Sequence, residues 1–381
     1  MQEFGIVNEV LNLSNIYILL ICFGLDESIS KKSFSVDDKN ETGVLSSGFI
    51  LIFVHCGLFF LFALLFFLFP QANGVFTYSV YIYCVMFIIN SSIINTYLKY
   101  CRIMGMDREF ISVSLATTVI QFFAVYVLVV NLNKGLSYYL ISMFIVSLFG
   151  VVYVLAKIKY KIKIRSITKS HVISIYMYAF KVAPHMIMGW GLLGFTIYSI
   201  GVNFDSYHTA IFVSHNYLSI ILMTISMAFF YTYQPWLYRS LKNNVEKKLI
   251  QRKIFGFLIY ASAFTVGAIV LSEFVFSIIF DDRYVFDFEL STLLLLGTFF
   301  QFSGSIFTYF FYYYESKSKF ISYSTVVGVT VNVIGLTLLL PSQGLLAAGW
   351  VYMLSQLSAF VFRFIMYVKY SISGDFFINE Q

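Results

Sequence analysis

Eleven apolar stretches, each long enough to cross a bilayer as a helix, follow one another along this sequence. A membrane-spanning helix needs about 20 predominantly apolar residues. In chain order, segments A to K cover residues 6–25, 44–69, 75–97, 110–130, 136–156, 172–200, 207–236, 254–280, 290–314, 320–340 and 345–370. Hydrophobic residues make up 59% of the chain and charged residues 12%, which excludes an ordinary soluble domain. The sequence therefore predicts an all-α polytopic membrane protein.

Lysine and arginine lie almost entirely on one side of the predicted membrane. The chain has 25 of them, and all but Lys134, Arg283 and Lys181 lie in or beside the connections A–B, C–D, E–F, G–H and I–J or near the end of segment K. By the positive-inside rule these connections and the C terminus are cytoplasmic. The net charge of +6 has the same origin, so we expect contact with membrane lipids and no nucleic-acid partner.

The most cationic connection, residues 157–171, divides the segments into two groups. We expect an N-terminal helical bundle over 1–156, a cytoplasmic linker over 157–171 and a C-terminal bundle over 172–381. The two bundles have about five and six spans. Because the number of spans is odd and the C terminus is cytoplasmic, the N terminus is expected to lie outside. With one further helix ahead of segment A the chain would be a 6 + 6 parallel repeat, so the expected pattern is such a repeat with the first helix missing. The cytoplasmic connections 26–43, 157–171 and 238–253 have mixed charges and are expected to be solvated linkers.

Segment F carries a lysine at a depth where an ammonium group is costly. Lys181 lies nine residues into the segment, about 14 Å deep at 1.5 Å per residue. An intramembrane cation is a functional candidate by default, because it must face a wet cavity or a partner. His185 lies on the same helical face, and Pro184 between them is expected to kink the helix. Such a face suits an anionic substrate.

Other polar residues form stripes on segments A, C and G. The candidates for substrate binding on these stripes are Asn8, Asn12, Asn95, His215 and Asn216. Such stripes line either a cavity or an interface where polar side chains join neighbouring helices, and the sequence leaves both interpretations open.

Two carboxylates within the apolar segments, Glu9 and Glu273, are candidates for ion coupling. A shallow carboxylate such as Glu273 is more often satisfied by local hydrogen bonds. Arg363 lies near the end of segment K, where a long cationic side chain is expected to snorkel to the interface.

The patterns that indicate catalysis are missing from this sequence. It has no phosphate-binding glycine loop, no zinc spacing and no nucleophile elbow, so we expect no catalytic residue, no metal and no cofactor. The four cysteines lie in or beside apolar segments without paired spacing and are expected to pack as small hydrophobes.

Several short motifs, in this order along the chain, resemble the polysaccharide-transporter family. They are Glu-Phe-Gly-Ile at 3–6, Phe-Gly-Leu-Asp at 23–26, the stretch 102–108, Ala-Pro at 183–184 and Gln-Pro-Trp-Leu-Tyr at 234–238. The family comprises O-antigen and lipid-linked oligosaccharide flippases of the multidrug/oligosaccharidyl-lipid/polysaccharide exporter (MOP) superfamily. Many relatives carry an Asp-Arg pair in the outer half of segment F, where this chain has uncharged residues from Leu193 to Tyr198.

The resemblance implies a transporter of the bacterial cytoplasmic (inner) membrane. Its substrate would be an oligosaccharide repeat unit on undecaprenyl diphosphate, used to build O-antigen, lipopolysaccharide or another surface polysaccharide. Lys181 would offset the charge of the diphosphate, the polar residues would bind the sugars, and the two bundles would give alternating access. No bond is broken in such transport, so we expect no enzyme activity. A polysaccharide polymerase is a further candidate partner.

Two other functions compete with this interpretation. A cation-coupled exporter of drugs or small molecules from the same superfamily ranks second, because such a protein favours buried carboxylates over a buried lysine. A membrane enzyme of glycan assembly, such as a polymerase or acyltransferase, ranks third. The predicted outer loops 70–74, 131–135, 201–206, 281–289 and 341–344 are too short to hold its active site.

Overall fold

The computed structural model describes residues 2–36, 38–67, 78–131, 135–243, 245–280 and 284–372, and these form helices joined by short connections. The α-helices are α1 (Gln2–Cys22), α2 (Leu25–Ser35), α3 (Asp38–Phe67), α4 (Tyr78–Met104), α5 (Asp107–Val125), α6 (Gly135–Ile158), α7 (Lys169–Asn203), α8 (Ser206–Lys242), α9 (Lys247–Val270), α10 (Ser272–Ile279), α11 (Phe288–Tyr313) and α12 (Lys319–Ile372). A π-helical turn, Tyr126–Asn131, extends α5. The predicted all-α class is confirmed.

Ten of the described helices are long and apolar enough to span a membrane. Each predicted segment from A to I coincides with one helix, except that segment H is divided into α9 and α10 at Leu271. Segments J and K are the two parts of α12, which is interrupted at Gly344. The chain is a multi-pass membrane protein. The predicted outer loop 70–74, Lys134 and Arg283 lie outside the described residues.

The break in α12 has a local cause in the sequence. Pro341 removes a backbone donor inside the helix. Gly344 then adopts φ 66° and ψ −152°, a conformation with positive φ that is open to glycine at little cost. These two residues separate the last two predicted spans within the long helix.

The chain folds as two compact units. One unit is Leu13–Ile187, which we call the 13–187 unit. The other combines Met1–Asn12 with Met188–Gln381, and we call it the 188–381 unit. The core of the 13–187 unit contains Phe49, Tyr97 and Tyr100, which are almost completely buried. The 188–381 unit is built around an apolar cluster that includes Phe212 and Leu294. The division into 1–156, 157–171 and 172–381 stays a prediction.

The connection after segment A is not the solvated linker that we expected over 26–43. Its first part forms α2, whose buried residues are Leu25, Asp26, Glu27, Ser28, Ile29, Ser30, Lys31 and Ser33. Gly24 precedes α2 with φ 72°, and a Cβ there would lie 3.0 Å from the carbonyl oxygen of Ala179. The low hydropathy of α2 gave no indication that this helix is buried, because its burial depends on partners elsewhere in the 13–187 unit.

Two aspartates fix the starts of helices in the 188–381 unit. Asp205 begins α8 by accepting a hydrogen bond from the His208 amide at 2.9 Å, and Asp287 begins α11 by accepting one from the Leu290 amide at 3.0 Å. The His208 backbone amide and ring both donate to the Asp205 carboxylate and lower its pKa. The predicted outer loop 201–206 is thereby reduced to a two-residue connection between α7 and α8.

Candidate functional sites

A buried charge cluster joins α2 and α4 in the 13–187 unit. The Lys99 ammonium lies 2.8 Å from Asp26 Oδ2 and 2.9 Å from Glu27 Oε2. The carboxylate side chains are 9% and 4% exposed, so both are shielded from water. Asp26 Oδ1 is buried without a hydrogen-bond partner among the described residues. Two carboxylates thus share one ammonium, and sequence reasoning missed this cluster because it placed the acids in a solvated loop.

His55 on α3 was also missed, although its ring joins two other helices of the 13–187 unit. Nδ1 donates to the carbonyl oxygen of Ile21 at 2.8 Å, and Nε2 accepts from the Tyr176 hydroxyl at 2.9 Å. A carbonyl oxygen can only accept, so the ring is assigned with its proton on Nδ1. A single histidine in segment B formed no stripe from which its role could be inferred.

The predicted Lys181 and His185 face lies on α7, also in the 13–187 unit. The Lys181 side chain is exposed and that of His185 is partly buried. Both are placed on one helix that continues through Pro184. Asn95, on α4 of the same unit, is exposed as well. Their roles in substrate binding stay predictions.

The amide of Asn12 is used to join α1 to α7 within the 188–381 unit. Its Nδ2 donates to the Gly194 carbonyl at 2.8 Å, and its Oδ1 accepts from Trp190 Nε1 at 2.9 Å. The side chain is 9% exposed, so these bonds form away from water. Asn8, one turn earlier, donates to the Phe4 carbonyl of its own helix at 2.7 Å. For Asn12 the geometry is that of a helix interface.

The two carboxylates predicted for ion coupling have different surroundings. Glu9 is partly buried on α1, and its Oε1 accepts a hydrogen bond from the Ser206 hydroxyl at 3.3 Å. Ser206 is the first residue of α8, where the helix dipole favours a negative charge. Glu273 lies in the first turn of α10 and is exposed. The structure therefore gives Glu9 a local partner, and ion coupling stays a prediction for both.

His215 is fully buried and connects α8 to the start of α11. Its Nδ1 donates to the Ile211 carbonyl at 2.8 Å, and its Nε2 accepts from the Asp287 amide at 2.8 Å. The rings of Phe276 and Phe286 pack against the imidazole, with centroids 4.8 and 6.0 Å away. Both ring nitrogens are thus occupied by the backbone. Asn216 next to it is buried as well.

Arg363 on α12 does not snorkel to the interface, as the sequence suggested. It is 6% exposed, and its Nε donates to the hydroxyl of Ser324 at 2.8 Å. The guanidinium turns inward because α11 has Gly304 at the facing position, where a Cβ would lie 3.0 Å from Nη1. The sequence showed Arg363 near the end of segment K, but it did not show that Ser324, 39 residues away, would accept a hydrogen bond from it.

An apolar cavity of about 510 Å³ lies between α8, α9, α10 and α11 in the 188–381 unit and is partly open to the protein surface, where Ile225, Phe264 and Leu271 of its lining are exposed. Its lining consists of Leu218, Ile221, Leu222, Ile225, Ala263, Phe264, Gly267, Ala268, Leu271, Val275 and Leu295. This volume lies within the usual range of small-molecule sites, and the lining carries no charge. The cavity can therefore take an apolar group but not, by itself, a charged one. Within the described residues no three His, Cys, Asp or Glu side chains come together as a metal site.

The chain is similar in structure to several MATE transporters, although the sequences are far apart. It matches the MATE multidrug transporter DinF-BH, in a structure with a bound compound, with a TM-score of 0.72 and 14% identity, over 99% of this chain and 89% of the other. A mutant form of the Vibrio cholerae MATE transporter VcmN has a TM-score of 0.69 and 12% identity, over 99% and 90% of the two chains.

A third similar structure is a MOP superfamily transporter from Pyrococcus furiosus, with a TM-score of 0.70 and 12% identity, over 97% of this chain and 88% of the other. No protein-family model and no curated protein sequence matches this chain. At such low identity the likeness concerns the arrangement of helices. The chain has the fold of the MATE transporters of the MOP superfamily.

Proposed function

We propose that this protein is a membrane transporter that exports small organic molecules by alternating access. The observation that carries the proposal is the match of nearly the whole chain, 97–99%, to MATE and MOP transporters. Two of those proteins are named MATE transporters, and the one named a multidrug transporter was solved as a complex with a bound compound. Transporters built from two helical bundles can expose a binding site to each side of the membrane in turn. It does not by itself choose the substrate.

The apolar cavity between α8 and α11 supports an organic substrate with a large apolar surface. Its volume of about 510 Å³ is sufficient for a drug-sized group, and most of its lining comes from α8, α9 and α11, which are long and apolar enough to span a membrane. Gly267 lines the cavity, and a Cβ at this position would meet nothing within 4 Å. A side chain added there would extend into the cavity without first displacing a neighbour.

Export can be tested with a substitution that fills this cavity. Proteoliposomes containing the purified protein should move a fluorescent organic cation such as ethidium, whose aromatic part would occupy the cavity with its charge outside, when a proton or sodium gradient is imposed. Gly267→Leu should slow that transport. Gly256→Leu is the matched control, because Gly256 is also on α9 with open space at its Cβ but does not line the cavity. Lack of transport under either gradient, or equal rates for the two variants, would count against the proposal.

Transport of a lipid-linked oligosaccharide is the second candidate function. Two observations favour an anionic substrate: Lys181 is exposed on α7, and Arg363 is buried without a carboxylate partner among the described residues. The binding pocket of the Pyrococcus furiosus protein is described as having a reverse polarity that suggests a different function. Complementation of a flippase-deficient bacterial strain separates the two candidates, since a drug exporter would not restore surface polysaccharide. A polymerase partner belongs to this second candidate only.

The orientation of the chain is part of the proposal. We place it in the bacterial inner membrane with a cytoplasmic C terminus, because the basic connections require that side to face the cytoplasm. Ser342 lies at the break in α12, and Ser166 lies in the connection before α7, on the opposite side in this orientation. A membrane-impermeant thiol reagent added to intact cells should therefore label Ser342→Cys but not Ser166→Cys. The reverse pattern would contradict this orientation.

A further inference from the structure

Arg363 is a buried cation with no compensating acid among the described residues. Its side chain is 6% exposed, and within the part of the chain that the structure describes it forms one hydrogen bond and no ion pair. It lies nine residues before the end of α12 at Ile372, which is about 14 Å along the helix axis. An arginine at this depth cannot discharge by losing its proton. Its charge therefore needs a negative partner.

The Ser324 hydroxyl fixes which edge of the guanidinium remains available. Its proton is donated to the Ile321 carbonyl at 2.7 Å, so its oxygen is left to accept the Nε–H of Arg363 at 2.8 Å. This bond uses one of the five N–H donors of the guanidinium. The four N–H donors on Nη1 and Nη2 make no hydrogen bond to the described residues.

Gly304 on α11 provides the space in which Nη1 lies. A Cβ there would stand 3.0 Å from Nη1, closer than most side-chain contacts allow, and 3.5 Å from Cδ of Arg363. Thr308 and Tyr312 follow at intervals of four on the same face of α11, and both are buried. The arginine is thus oriented by Ser324 and accommodated by a missing side chain.

We propose that Arg363 forms a binding site for a phosphate-type oxyanion inside the 188–381 unit. A tetrahedral oxyanion can accept two parallel hydrogen bonds from the Nη1 and Nη2 edge, which gives these donors a partner and supplies a negative charge beside the buried arginine. The same chemistry is offered by a lipid phosphate headgroup and by dissolved phosphate. The site goes beyond the proposed export of organic molecules and does not depend on the apolar cavity.

The direct test is ligand-dependent stability of the full chain. Thermal unfolding in detergent should shift upward, with saturation, as inorganic phosphate is added, because a ligand that binds only the folded state stabilises it. The shift should be absent in Arg363→Gln and retained in Arg239→Gln, which alters an exposed arginine at the end of α8. Chloride at equal ionic strength is the control for unspecific salt effects.

A second arm identifies the source of the oxyanion. Nanodiscs of phosphatidylcholine, with and without phosphatidic acid, are compared for the wild type and the same two variants. Stabilisation by phosphatidic acid alone assigns the site to a lipid headgroup, and stabilisation by dissolved phosphate alone assigns it to a soluble anion. The absence of both effects, or an equal effect of chloride, would overturn the proposal.

Arg363→Gln could lose its fold, so a variant that keeps the charge completes the test. Ser324→Ala removes the acceptor that orients the guanidinium, and we expect a weaker response to the oxyanion while the response of Arg239→Gln is unchanged. A response in Ser324→Ala equal to that of the wild type would contradict a built site at Arg363. Transport assays are not needed for either result, so failure here is distinguishable from failure of the export proposal.

Discussion

The ammonium group of Lys99 on α4 lies 2.8 Å from the carboxylate of Asp26 at the start of α2. Glu27 approaches the same ammonium at 2.9 Å from the next position along α2. This cluster gives the buried acids of α2 an ion-pair partner on α4 of the same unit. Without such a partner, burying the two carboxylates would be unfavourable. Its strength can be measured directly.

Lys99→Met should lower the free energy of unfolding by about 3–5 kcal/mol, because it removes the ammonium group that both buried carboxylates contact. Neutralising all three groups together, with Asp26→Asn and Glu27→Gln added, should recover much of that loss. Lys248→Met, at an exposed position on α9, is the control and should change little. Unfolding titrations in detergent measure all of these variants. Equal losses for Lys99→Met and Lys248→Met would rule out a structural cluster.

Trp190→Phe should destabilise the 188–381 unit by about 1 kcal/mol, because it removes the indole N–H that Asn12 accepts at 2.9 Å. A double-mutant cycle with Asn12→Ala should show coupling between the two positions. Trp350→Phe is the matched control, since Trp350 is 42% exposed. Additive effects of the two substitutions would mean that the hydrogen bond contributes nothing measurable.

His215→Phe should lower stability by about 1–3 kcal/mol, because it keeps the ring shape while removing both buried hydrogen bonds. The free amide of Asp287 should then exchange its hydrogen faster, which mass spectrometry of the corresponding peptide can detect. The peptide around Asp205, which begins another helix, is the internal reference and should be unaffected. Unchanged exchange at Asp287 would show that the imidazole does not hold this connection.

Gly5→Ala should destabilise the protein, because a Cβ there would collide with the main-chain carbonyl of Ser206. Overpacking against backbone typically costs about 1–3 kcal/mol. Gly57→Ala is the contrasting variant, since its Cβ would meet nothing within 4 Å on α3. We expect it to gain roughly 0.5–1 kcal/mol from helix propensity. Thermal unfolding of the two variants side by side decides whether α1 and α8 approach as closely as this contact requires.

Lys181→Ala should abolish complementation of a flippase-deficient strain, if such complementation is observed, while Lys181→Arg should retain part of it. The physical reason is that an ammonium or guanidinium offsets the charge of a diphosphate, and alanine does not. Lys163→Ala, exposed in the connection before α7, is the control for general loss of positive charge. Protein levels are measured by immunoblot for each variant. Full function of Lys181→Ala would remove this residue from the substrate path.

The spans themselves could be predicted because the signal is local. A run of apolar residues long enough for the bilayer must form a helix, since backbone groups in hydrocarbon have no other partner. Even the division of α12 was visible in Pro341 and Gly344, which separate segments J and K in the sequence. The Asp205 cap likewise precedes the segment that it begins.

The partners of polar side chains could not be predicted in the same way. Asp26 and Lys99 are 73 residues apart, and Trp190 lies 178 residues from Asn12. No periodicity within one helix encodes such distances, so a polar stripe is equally typical of a cavity lining and of a helix interface. Asn12 and His215 each form hydrogen bonds that join helices of one unit, and their roles in substrate binding stay predictions.

By itself the sequence determined an all-helical membrane protein, its spans and their expected orientation, because hydropathy and loop charge act on each segment separately. The tertiary structure alone decided that α2 is buried, that His55 joins three helices of its unit and that Arg363 turns inward beside Gly304. The reason is physical: whether a charged or polar group can be buried depends on the groups that meet it, and only the folded chain brings them together.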